Sequence, residues 1–249
     1  MNYILSHPRL TKSAKPLANK IGELIGEQVL VSKIPLNKHK LIVRYGNSAL
    51  PEIECEYNHP DYIGFAGNKL DLSKLLSKEE YNIRHVELNF RAPNKYPVAI
   101  RTELNRGGGI GMVIAENDNE FVKYAEFHWS YWYKFQFELG VHILGGEIVK
   151  VFKKVRSVGL EEEKYPIRNT QRGYKFKYKP NWKENYGGLE KFVAELYKVF
   201  PIQFARLDIG YDKETGGYRL IEVNSAPDLS QNKNTLELYA QFLAGKFAL

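Results

Sequence analysis

The sequence predicts a mixed fold of the α/β and α+β classes, in which a small N-terminal α/β unit precedes two interlocked α+β parts around one cleft. Three observations carry this. Residues 1–68 alternate short apolar strands with one helical pattern, and a β-rich stretch starts at Val86. Two hairpin patterns, one turning on Gly145-Gly146 and one spanning Phe204 to Asn224, enclose the clearest amphipathic helix of the chain. At 249 residues the chain exceeds a usual single domain and can bury a substantial core.

The elements follow in order. Tyr3 to Leu5 reads as a strand, and Leu17, Ile21, Leu24 and Ile25 recur at helical spacing after Ser13. Val29 to Val31 and Leu41 to Val43 are further strands, the latter running into a Gly46-Asn47 turn. Asn68 to Leu76 is a helix with a basic flank. Val98, Ile100 and Thr102 mark one strand and Met112 to Ile114 another, linked by ELNRGGGIG, with a helix expected from Glu120 to Phe127. VHILGGEIVKVF has the Gly-Gly dipeptide of a tight hairpin. The polar stretch 161–188 reads as loop. Leu189, Phe192, Val193, Leu196, Val199 and Phe200 form the amphipathic helix, and a terminal helix starts at Asn234, where Asn234 and Glu237 have capping-box spacing. The expected division is 1–68, 69–132 with the glycine-rich loop, and 133–249 with the second hairpin.

Composition narrows the class of protein. Hydrophobic residues at 43% and charged residues at 26% are globular values. No apolar run approaches the roughly 20 residues that cross a bilayer, and the N-terminus lacks a basic-then-apolar signal pattern, so a soluble cytoplasmic protein without membrane partners is expected. The single Cys55 excludes an internal disulfide and a cysteine zinc cluster, and reads as a small hydrophobe rather than a nucleophile. A net charge of +7 favours anionic partners: nucleotides, acidic substrates or nucleic acid.

The second hairpin holds the most chemistry. If Asp212 pairs with Tyr218 across DKETGG, Asp208 falls opposite Glu222, with Cβ atoms about 5 Å apart. Like charges so placed repel, and a cation removes the cost. Asn224 shares the face of Glu222 by the period of two, while Leu207, Ile209, Ile221 and Val223 are expected on the other face. Two carboxylates and an amide oxygen, completed by phosphate oxygens, suit Mg²⁺, with Mn²⁺ as a substitute. Isolated surface carboxylates on an edge hairpin are the competing reading.

NRGGGIG sits between two strands, which excludes a P-loop and a dinucleotide fingerprint, both of which lead into a helix. A glycine-rich hairpin tip presents backbone N–H groups to a triphosphate, and Arg101 and Arg106 flank it; a plain surface turn is the alternative. Lys153 and Lys154 end a strand on the opposite wall, where lysines are commonly just solvated. Glu138 opens that hairpin and can accept ribose hydroxyls, and the preceding FHWSYWYKFQF is core or a base platform.

These features together resemble the ATP-grasp superfamily from about Leu41 onward. RLDIGYDKETGGYRLIEVNSAPDLS is similar to its D…E-x-N…P signature, PVAIRTELNRGGGIG to its strand and glycine loop, and ELGVHILGGEIVKVFKK to its E/D-x-R-V…GG-x-V…R-K segment. The compact viral and bacterial carboxylate-amine ligases are nearest in character, and Arg168-Asn169 resembles a short element found in them. The resemblance implies two α+β subdomains clasping ATP behind a small Rossmann-like unit. It implies Asp208, Glu222 and Asn224 as Mg²⁺ ligands. Arg101, Arg106, Gly107, Gly108, Gly109, Lys134, Glu138 and Lys153 become the nucleotide contacts, and Arg101, Lys153, Lys154 and Arg168 the catalytic cations. The implied reaction joins a carboxylate to an amine (or thiol) through an acylphosphate, with an amino acid, peptide or protein as acceptor, by a monomer or homodimer.

Two positions depart from the pattern: Arg101 stands where Lys is common, and Gly140 where many relatives carry Arg. They keep open a nucleotide-binding relative without turnover. YKFKYKPNWK, where basic and aromatic residues alternate, keeps open a nucleic-acid-binding module.

Overall fold

A computed structural model describes residues 1–7, 11–36, 39–49, 53–55, 57–104, 111–159, 164–229 and 232–245. Strand β1 (Asn2–Ser6) is flanked in parallel by β2 (Val29–Ser32) and β3 (Lys40–Tyr45). Helix α1 (Thr11–Ile25) makes the crossover and buries Ala14, Leu17, Ala18 and Ile21, one face at helical spacing, as the apolar periodicity predicts. Helices α2 (Pro60–Gly67) and α3 (Lys69–Leu76) meet at Asn68, whose side chain accepts from the N–H groups of Leu70 and Asp71 at 3.0 and 3.4 Å. The sequence reading contained no α2. Its start is set by Pro60 in the first turn and by His59, whose Nδ1 accepts from the Asp61 N–H at 3.3 Å.

A second, three-stranded antiparallel sheet has the order β5 (Met112–Ala115), β4 (Val98–Arg101), β6 (His128–Tyr131). Helix α4 (Asp118–Val122), capped by Asn117, closes its small core of Val98, Ile100, Ala115, Phe121 and Trp129. The helix expected at 120–127 is thus shorter and earlier.

The third sheet is five-stranded and antiparallel, in the order β11 (Gly217–Asn224), β10 (Phe204–Asp212), β7 (Phe135–Leu144), β8 (Glu147–Arg156), β9 (Tyr174–Tyr178). Strands β7 and β8 turn on Gly145 and Gly146, whose φ values of +58° and +90° fit the two-residue turn that such a dipeptide predicts. One face is apolar: Leu139, Val141, Leu207, Ile209, Leu220 and Val223 pack with α6 (Leu189–Val199), which contributes Leu189, Phe192, Val193 and Leu196. The other face is polar and forms the wall of a large cleft. β9 and the short α5 (Trp182–Asn185) lie inside the stretch expected to be loop. Exposed lysines at 175 and 177 on this edge strand mask the alternation of Tyr174, Phe176 and Tyr178. Terminal helix α7 (Lys233–Leu243) is capped by Asn232, not Asn234: the Asn232 Oδ1 accepts from the Thr235 N–H at 3.0 Å. Among the described residues no helix is long and apolar enough to cross a membrane.

Candidate active site

The hairpin of β10 and β11 brings Asp208 and Glu222 into register by a route the sequence does not announce. Tyr211, not Asp212, pairs with Tyr218, and that register carried on unbroken sets Asp208 opposite Ile221. A bulge between Asp208 and Ile209 leaves Ile221 unmatched, so Asp208 pairs with Glu222 after all. Ile221 consequently turns into the cleft beside Glu222, correcting its expected place in the core, which Leu220 takes. Asp212 shapes the turn by accepting from the N–H of Glu214 at 3.0 Å and the hydroxyl of Thr215 at 2.9 Å.

Cations surround the carboxylates. Asp208, 3% exposed, receives Lys154 Nζ at 2.8 Å and Arg206 Nε at 3.0 Å. Burial pushes its carboxyl up, but Arg206 and then Lys154 outweigh that and hold it below the usual range. Lys154 also reaches Glu138 Oε2 at 3.1 Å; burial acts to lower its ammonium pKa, and Asp208 and Glu138 raise it well above normal. Arg168 Nη1 meets the other Glu138 oxygen at 3.2 Å, while its Nη2 donates to the Phe135 carbonyl at 2.8 Å. On the far side Lys69 Nζ lies 3.4 Å from Glu222 Oε2, and Asn224 Nδ2 donates weakly to Glu222 Oε1 at 3.5 Å. Burial lowers the pKa of Arg101, which Glu222 partly offsets; its Nε is buried and has no hydrogen-bond partner among the described residues.

Arg206 also settles what stands over Gly140. A Cβ at Gly140 would lie 2.8 Å from Phe176 Cε1 and 3.3 Å from Arg206 Cδ, so a side chain there would have to displace Phe176. The guanidinium of Arg206, stacked 4.8 Å from the Phe176 ring centroid, fills the space from the neighbouring strand. Beside it His142 is buried and neutral, its pKa pushed down to about 3 by burial and then by Arg206. Tyr239 donates its one hydroxyl hydrogen to the Ala205 carbonyl at 3.1 Å, so the 2.9 Å contact requires His142 Nδ1 to carry the imidazole proton.

The cleft encloses about 2230 Å³ and is lined, among the described residues, by eleven lysine and arginine side chains against six carboxylates. Most of the chain's positive excess is therefore concentrated on this surface. Arg101, Lys134, Glu138, Lys154, Arg168, Asp208, Glu222 and Asn224 all line it. Lys153 does not. Adjacent residues on a strand face opposite ways, and Lys153 lies over the Phe137 ring, 5.3 Å from its centroid, on the other side of the sheet, which corrects its expected place among the nucleotide contacts. Arg106 and Gly107 to Gly109 fall outside the described residues. The aromatic segment divides: Trp129 enters the core, whereas Tyr133 and Phe135 line the cleft. Sequence reasoning missed Lys69, Arg206 and Arg219, the last stacked 4.1 Å from the Tyr133 ring centroid. Arg206 was within reach, because two residues before Asp208 on a strand means the same face.

No family model matches the sequence, and no curated protein matches it. Solved structures do. An ATP-grasp ligase associated with ribosomal peptide modification in Chryseobacterium gregarium, solved with ADP and a leader and core peptide, superposes with a TM-score of 0.65 at 14% identity, over 100% of this chain and 98% of that one. The chain has the ATP-grasp fold. The N5-carboxyaminoimidazole synthetase of Staphylococcus aureus, solved with ADP, matches this chain with a TM-score of 0.70 at 12% identity, covering 100% of it and 78% of the synthetase. D-alanine–D-alanine ligase of Bacillus anthracis gives 0.63 at 14% identity, with 98% and 94% covered.

Proposed function

We propose that this chain is an ATP-dependent carboxylate-amine ligase that works through an acylphosphate. The observation that carries the reading is the pairing of Asp208 with Glu222 across the bulged hairpin, ringed by Lys69, Lys154 and Arg206 in a strongly cationic cleft. The fold likeness to proteins solved with ADP supports the reading. In this reading the parts 69–132 and 133–249 clasp the nucleotide between them.

The donor set fits a phosphate-borne Mg²⁺ or Mn²⁺. Asp208, Glu222 and Asn224 offer two carboxylates and an amide oxygen, and no group of three or more His, Cys, Asp or Glu among the described residues is placed to hold a metal unaided. When bound there, the ion neutralises phosphate oxygens. The chain's own groups do the rest. Lys69, Arg101 and Lys154 meet the negative charge of the transferring phosphoryl group. A substrate carboxylate oxygen attacks the γ-phosphorus, ADP leaves, and an amine then displaces phosphate from the acyl carbon. Arg206, whose Nε meets Asp208 at 3.0 Å, lines the cleft beside it and is suited to the oxyanion that forms in that second step. Half-buried Cys55, whose thiol pKa burial raises, is unsuited to act as nucleophile, consistent with a route without a covalent enzyme intermediate.

The test is ADP release from ATP over a panel of amino acids and peptides, with hydroxylamine as a generic amine. Release that needs both a carboxylate and an amine is expected. Tight ADP binding with no turnover on any pair would favour a nucleotide-binding relative instead.

A further inference from the structure

Every carboxylate of the proposed metal site is already neutralised by a side chain of the protein. Lys154 and Arg206 hold Asp208, Lys69 holds Glu222, and Lys154 with Arg168 holds Glu138, all through side chains no more than 20% exposed. Arg101, half-buried on the opposite wall, sets a further positive charge against Glu222. Within this cluster five cations face three carboxylates, an excess of two positive charges. Solvent screens such buried charges poorly. A divalent cation approaching alone meets repulsion and finds its ligands taken. A polyphosphate approaching alone meets an open excess of cations.

From this charge count we infer that the cleft binds nucleotide first and without metal, and that the nucleotide creates the metal site. Polyphosphate oxygens draw Lys154, Lys69 and Arg206 toward themselves, releasing the oxygens of Asp208 and Glu222 and turning the local balance negative. The metal then enters between phosphate and carboxylates. Binding order is therefore written into the ion pairs that line the cleft. By linkage, whatever factor ADP contributes to metal affinity the metal must return to ADP.

The inference rests on the cleft being the nucleotide site, and calorimetry on the full chain separates the two claims. ADP is titrated in EDTA, Mn²⁺ is titrated into free protein, and Mn²⁺ is titrated into the ADP complex, with bound Mn²⁺ counted by its electron paramagnetic resonance signal. The expected results are clear ADP binding in EDTA and a Mn²⁺ affinity about 10- to 100-fold higher in the ADP complex. In Lys154→Gln, free protein should gain Mn²⁺ affinity, and ADP in EDTA should bind more weakly. Equal Mn²⁺ affinity with and without ADP, or ADP binding only when metal is present, overturns the inference and leaves the nucleotide site standing. No ADP binding under any condition overturns both.

Discussion

Asp208→Asn is expected to lower the rate of ADP formation by at least about 10²- to 10³-fold, the usual consequence of removing a group that stabilises transferring charge. Asn keeps the size and one oxygen of the side chain but loses the charge that would face the proposed metal and that fixes Lys154 and Arg206 at 2.8 and 3.0 Å. The same variant should bind ADP in EDTA at least as well as the wild type, since one negative charge has left a cationic cleft. A loss of turnover paired with retained metal-free ADP binding separates a chemical role from misfolding. Stability against acid gives a further readout. A carboxyl held below its ordinary value of 3.8 contributes stability that is complete above that value and disappears as pH falls through the lowered one. Denaturation midpoints measured as pH falls below about 4 should therefore drop more steeply in wild type than in Asp208→Asn. Parallel curves would contradict the ion pairing.

Lys154→Met is expected to destabilise the fold by about 3 kcal/mol, the lower end of what breaking a buried pair costs. The ammonium serves two buried carboxylates at once, Asp208 at 2.8 Å and Glu138 at 3.1 Å, and its removal leaves Arg206 and Arg168 as their remaining partners. Urea denaturation reads the loss directly. Lys153→Met supplies the control: its ammonium lies over the Phe137 ring on the far side of the sheet, and the change should stay within about 0.5 kcal/mol and leave ADP affinity alone. A larger loss for Lys153 than for Lys154 would mean that the two faces of β8 have been assigned the wrong way round.

The contrast between Lys153 and Lys154 shows where a single sequence stops. Strand alternation dictates that only one of two neighbours enters the cleft, but which one depends on the register of β8 against β7. The pairing of Asp208 with Glu222 was legible because a hairpin and a period of two leave few arrangements. The bulge that achieves it was not, since Ile221 has the character of a core residue and nothing nearby marks it as unmatched. Gly140 read from sequence as a missing arginine. In the folded sheet Arg206 from β10 and Phe176 from β9 occupy that space, a packing that linear spacing cannot show. α1 and α6 were legible from apolar spacing, whereas β9 hid behind the lysines of an edge strand.

The most direct measurement is a crystal structure of the full chain with ADP and Mn²⁺, with the metal located by its anomalous scattering. An anomalous peak bridging phosphate oxygens to Asp208 and Glu222, with Lys154 moved off Asp208 toward the nucleotide, is the predicted result. Nucleotide bound elsewhere, with Lys154 still on Asp208 and no metal between the two carboxylates, would contradict it.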